Sequence, residues 1–203
     1  AGRVGEAVEV QAVVPVGAAD QRQAVRLAKL FEKKAESIYV GRDDECDITA
    51  IDHIKIAVCA TPVKEKTEPQ VLREDHVVLK LLGKQPFERE TSFIIDQNSN
   101  AKILTIGEAY CTEGNWAGFP PHKHDVNNMP TECIAEEIYY FLFDPMQGFA
   151  VQCLYTADGA LDEAYRVKND ELVEITPNNI RIRKKILDPT LRYRAAKINS
   201  RQN

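Results

Sequence analysis

The chain has 203 residues, a formal net charge of −5, and 44% hydrophobic against 28% charged residues, the composition of a globular protein with enough length for one large domain or two small ones. The acidic balance gives no electrostatic footprint for nucleic acid, which needs clustered positive charge. No run approaches the ~18 continuous apolar residues of a membrane span, so a membrane partner is not expected.

Residues 1 to 18 are small, apolar and weakly patterned, with "VEVQAVV" offering a strand and nothing resembling the charged-then-apolar pattern of a signal peptide. A helix is expected over 20–36: Asp20 is a good N-cap with Gln23 at the capping-box spacing, and Ala24, Leu27, Ala28 and Phe31 form one apolar stripe. After Ser37 the short runs "SIYV", "CDITAI" and "IKIAVCA" are rich in β-branched residues and read as strands, with Ile54 and Ile56 alternating with Lys55. Together 1–62 form a partial N-terminal unit, and 63–90, polar and proline-bearing at its start, reads as a connector. His53 and His76 stand alone and are expected to be ordinary. From 91 to 203 a second unit follows: "TSFIID", "AKILTIGEAYC", "EEIYYFLF", "GFAVQCLYT" and "ELVEIT" are divided by the turn signals "DQNSN", "EGN", "DPMQG" and "ADG". Regular short strands of this kind predict an all-β sandwich or barrel, here two β units. The basic run from Arg181 to Arg201 reads as a solvated end.

Five dispersed cysteines, Cys46, Cys59, Cys111, Cys133 and Cys153, form no CxxC pair. An odd, scattered set argues against a disulfide framework and for a reducing cytoplasm, with most of the thiols packed as small apolar residues.

The chemistry concentrates in "GNWAGFPPHKHD", Gly114 to Asp125. On a strand entered through Pro120 and Pro121, His122 and His124 project to the same side, so both imidazoles can reach one metal ion while Lys123 points elsewhere. Asp125, Glu132, Glu136 and Glu137 are the carboxylates near enough in sequence to join them. Glu136 and Glu137 open one strand and face opposite ways, so one of the two at most points at the histidines. Glu137, Tyr139 and Phe141 share a face. A carboxylate among aromatic rings is costly to bury unpaired, and a divalent cation removes that cost.

This string, followed by "EEIYYFLFDPMQGFAVQCLYTADGALDEAYRVKNDELVEITP", closely resembles the 5-deoxy-glucuronate isomerases of bacterial inositol catabolism, which belong to a larger bicupin group with the 5-keto-4-deoxyuronate isomerases of pectin breakdown. "FEKKAESIYVGRDDECDITA", "IAVCATP" and "GEAYCTEGNW" fit the same family, so the resemblance covers 31–177. It implies a cupin-type antiparallel β-barrel fold, bicupin-like and here incomplete, with a divalent metal (zinc, manganese, iron, nickel or cobalt) in the C-terminal barrel. By the family motif His122, His124 and Glu137 are the ligands, completed by a later histidine. The implied reaction is an aldose–ketose isomerisation of 5-deoxy-glucuronate to 5-dehydro-2-deoxy-gluconate, on a small sugar acid, in a homo-oligomer. No general base is identified; Tyr139 and Gln152 are the residues expected to face the substrate. The sequence departs from the family at both ends: an ungapped comparison sets Arg181 at the last histidine's position, and no histidine follows Glu137. The alternative reading is a non-catalytic cupin-like binding protein or an inactive fragment of that family.

Overall fold

A computed structural model of the chain describes residues 3–7, 35–49, 56–118, 121–176 and 179–184, the first and last of these by backbone alone. The expected helix at 20–36 and the strand at "VEVQAVV" fall almost wholly outside the described residues, as does His53; Ala35 and Glu36, at the end of the expected helix, are not helical. Among the described residues there are eleven strands and no helix, hence none long and apolar enough to cross a membrane. In chain order they are β1 (Arg3–Ala7), β2 (Ser37–Tyr39), β3 (Gln70–Leu72), β4 (Val78–Leu82), β5 (Arg89–Ile95), β6 (Ile106–Thr112), β7 (Glu137–Asp144), β8 (Phe149–Tyr155), β9 (Asp162–Lys168), β10 (Glu171–Thr176) and β11 (Asn179–Lys184). The chain is all-β and antiparallel, a cupin-like pattern, and divides into two compact units, 7–117 and 118–203, the latter joined by 1–6.

In the 7–117 unit β4, β5 and β6 form a meander, and β2 pairs with β3. Gly83 turns the chain between β4 and β5 at φ +79°, where a Cβ would stand 2.2 Å from the Phe87 carbonyl oxygen. Gly107 lets β6 approach β5, since a Cβ there would meet the Ser92 carbonyl oxygen at 2.8 Å. The core is Ala35, Tyr39, Leu72, Val77, Ile94, Ile95 and Ile106. The stretch read as a connector thus contains β3 and β4.

Two expected strands do not appear among the described residues of this unit. Residues 46–49 and 56–60 lie in no strand, and Val58 is 81% exposed. Side chains tie the adjacent stretches together instead: Lys66 pairs with Asp44 at 2.7 Å and Arg42 donates to the Lys64 carbonyl at 2.7 Å. Ala57 and Cys59 still pack against the core, so β-branched composition here reflects fitness for a packed surface rather than strand pairing.

In the second unit β7 is the organising strand, flanked by β1 and β10, with β11 beyond β10. Its alternation works as expected: the Tyr139, Phe141 and Phe143 rings follow one another at 6.5 and 6.4 Å between centroids. Phe141 and Phe143 close a core with Val167 and Val173, against which Tyr139, Ala150 and Ile175 pack. The β9–β10 turn locks onto β7 through polar groups. Asp170, at φ 62°, donates its N–H to the Phe141 carbonyl at 2.9 Å, Asn169 Oδ1 accepts from Phe143 N–H at 2.8 Å, and the Tyr140 hydroxyl donates to Asp170 Oδ1. Three strands of this unit differ from expectation, the first being β1, which lies ahead of the strand expected at "VEVQAVV". β9 lies in a charged run, and β11 occupies the start of the basic stretch read as a solvated end, paired along its length with β10. Only Cys111 is fully buried; Cys46 and Cys59 are half-buried and Cys133 and Cys153 are exposed, fewer buried thiols than composition suggested.

Candidate metal centre

Residues 121–124 lie in no strand, contrary to the strand expected there, so the histidines owe their place to a short loop rather than to a strand ladder. The Ala135 N–H donates to the His124 carbonyl at 3.1 Å, and a bridge between Asn128 and Glu132 folds the intervening loop back on itself. Lys123 points away and binds Asp125 at 2.9 Å and Glu132 at 3.4 Å. The hydrogen bond to Lys123 holds the exposed Asp125 carboxyl below its ordinary range, and that same contact raises the Lys123 ammonium. Two of the four candidate carboxylates are thereby engaged by a lysine, and Glu136 is exposed.

Glu137 is the carboxylate brought to the histidines. Its Oε1 lies 3.7 Å from His122 Nε2 and 3.5 Å from His124 Nε2, while the two imidazole rings stand edge-to-face at 5.3 Å. One donor atom from each residue lies within 4.8 Å of the others. Ligands at ~2.1 Å from a tetrahedral ion are ~3.4 Å apart, so two imidazole nitrogens and a carboxylate oxygen at these spacings fit a single divalent cation. Burial pushes the Glu137 carboxyl up, but hydrogen bonds from His122 and Tyr139 and the charges of both histidines more than reverse this and hold it below its usual value. It therefore stays ionised and ready to accept a cation. The Tyr139 contact was not foreseen from sequence; shared strand phase is the signal that could have found it.

Gln152 on β8 is half-buried, opposite Tyr165, and alternates with exposed Val151 and Cys153. It shares the face of Ala150, which packs on the core that also carries Tyr139. Arg181 pairs with Glu174, whose partner on β7 is Ile138. The residue in line with Glu137 and Ile175 is Ile180. Arg181 thus occupies the alternate register to Glu137. His76 is exposed and bonded to its neighbour Asp75 at 3.0 Å.

Cupin-like antiparallel sheets carrying a two-histidine, one-carboxylate cluster define the class of β protein to which this chain conforms. Within it, the sequence profile of the KduI/IolB family matches residues 7–179, and the chain belongs to that family. It is similar to the 5-deoxy-glucuronate isomerase of Bacillus licheniformis, 36% identical over 146 residues, covering 71% of this chain and 54% of that one. The isomerase of the same name from Geobacillus kaustophilus is 36% identical over 145 residues, covering 71% of this chain and 52% of the relative. The chain spans about half the length of the curated relatives it matches. Among solved structures, an IolB-like protein from Salmonella typhimurium LT2 is similar at a TM-score of 0.73 and 29% identity, covering 92% of this chain and 71% of that one.

Proposed function

We propose that this chain is a metal-dependent aldose–ketose isomerase that converts 5-deoxy-glucuronate to 5-dehydro-2-deoxy-gluconate in the cytoplasm. The observation that carries the reading is the convergence of His122, His124 and Glu137 donor atoms within 4.8 Å in a chain of the KduI/IolB family. His122 and His124 offer imidazole nitrogens and Glu137 a carboxylate oxygen, a set that suits zinc, manganese, iron, nickel or cobalt. A divalent metal held there supplies Lewis acidity toward the carbonyl and adjacent hydroxyl oxygens of the open-chain sugar acid, making the carbon-bound proton between them more acidic. Tyr139 fixes the Glu137 carboxylate by a hydrogen bond. Gln152, on the inward face of β8, is the residue we assign to a substrate hydroxyl.

The test is turnover of 5-deoxy-glucuronate followed by NMR, with the wild type beside His122→Ala and Glu137→Gln. Activity in the wild type that falls at least ~100-fold in both variants supports the reading; equal activity in all three overturns it. The alternative is a cupin-like protein that binds a sugar acid without converting it. Saturable binding of the acid with no product in the same experiment would select that reading.

A further inference from the structure

The β8–β9 hairpin buries one face and leaves the other bare. On the inner side Val167 is fully buried and Ala150 packs on the core of its unit. On the outer side Phe149 is 50%, Val151 45% and Tyr155 56% exposed, with exposed Cys153 between the last two. Four consecutive outward positions of one strand are thus apolar or thiol, where solvent-facing strands ordinarily alternate to polar residues.

The partner strand supplies charge in an ordered way. Lys168 lies across from Phe149, Arg166 across from Val151, Ala164 across from Cys153, and Asp162 across from Tyr155. Asp158 adds a second carboxylate in the turn beyond Asp162, held ionised below its ordinary range chiefly by the Thr156 hydroxyl. Positive charge sits at one end of the face and negative charge at the other, with Cys153 and Ala164 midway. The Arg166 guanidinium lies over the Phe149 ring, 4.4 Å from its centroid, so it is part of the face.

We propose that this outer face is where two copies of the chain associate, their hairpins stacked face to face and antiparallel. A half-turn about an axis perpendicular to the strands, at the level of Cys153, sets Val151 on Tyr155 of the second copy and Arg166 on Asp162 of the second copy, twice over. The interface is self-complementary, as a two-fold contact requires. A half-turn about the strand direction would instead set Arg166 on Val151 and pair no charges, so the charge pattern selects the first arrangement. A face of two seven-residue strands offers roughly 250 Å² per copy, well under the ~800 Å² of a standard interface, so association is weak and concentration-dependent. The proposal stands apart from the metal site, and either can fail without the other.

The test is sedimentation velocity of the 203-residue protein over a concentration series, with Arg166→Glu, Asp162→Arg and the double variant, each checked for folding by thermal melting. Stacked sheets lie ~10 Å apart, too far for a disulfide but within reach of a short bis-maleimide. Cross-linking is therefore run in a Cys133→Ser background, with and without Cys153→Ser. The expected result is a reversible dimer, weakened about tenfold by each single reversal and restored within about twofold by the double variant. The covalent dimer should form in Cys133→Ser and vanish when Cys153 is also replaced. A wild type that stays monomeric, a double variant no better than the singles, or cross-linking that survives loss of Cys153 would each overturn the proposal.

Discussion

Tyr139 and Glu137 stand two residues apart on one face of β7, and the Tyr139 hydroxyl hydrogen-bonds the carboxylate that both histidines approach. An outer partner of this kind orients a ligand and limits the geometries it can take. Tyr139→Phe keeps the ring in its packing place and removes only that bond. Metal affinity should fall about tenfold while the melting temperature changes little, as measured by chelator competition. Unchanged affinity would mean the phenol does not orient Glu137.

The pH dependence of the metal-free protein has a definite sign. Glu137 sits below its ordinary value of 4.5 because the hydrogen bonds and histidine charges outweigh burial. A depressed carboxylate stabilises the fold above its unfolded value, and that contribution is lost as pH falls from there through the lower folded value. The difference in unfolding free energy between wild type and Glu137→Gln should therefore shrink on acidification below 4.5. Urea titrations in chelator at neutral pH and in the acid window would read it, and a gap that widens with acid would contradict the assignment.

On the opposite face of β7, the Tyr140 hydroxyl bonds Asp170 and ties the β9–β10 turn to the strand. Tyr140→Phe should lower unfolding free energy by roughly 1–3 kcal/mol, the range for a bond to a charged group, and leave metal affinity within twofold. Loss of metal along with stability would show that the two faces are not independent.

Arg181 shares the register of Glu174 and Ile138 rather than that of Ile175 and Glu137. Arg181→Ala is accordingly expected to leave metal affinity within about twofold, since its register position is not the one in line with Glu137. A rise of tenfold or more would place its positive charge against the site.

The strands of the second unit that alternate strongly were legible before any coordinates. The run "EEIYYFLF" carries its phase in its aromatic residues, and the ring contacts of Tyr139, Phe141 and Phe143 follow that phase. β9 was not legible, because in "DEAYRVK" Val167 alone is buried and charge masks the period. β11 was hidden in the same way: its basic residues suggested solvent, whereas pairing with β10 is a property of the neighbour and not of the segment. The reverse error fell on "IKIAVCA", whose described residues have strand composition and no strand. At the site, the His122 and His124 spacing was readable directly. Choosing Glu137 over Glu136, Asp125 and Glu132 needed either the family motif or the fold, because the Lys123 contacts that engage two of the others cross a loop that sequence alone does not close.

Elemental analysis after exhaustive dialysis reads out whether His122, His124 and Glu137 hold a metal ion. The wild type should retain near-stoichiometric divalent metal, with His122→Ala and Glu137→Gln each losing it while remaining folded. A folded wild type that carries no metal after reconstitution, or variants that bind as much as the wild type, would contradict the account.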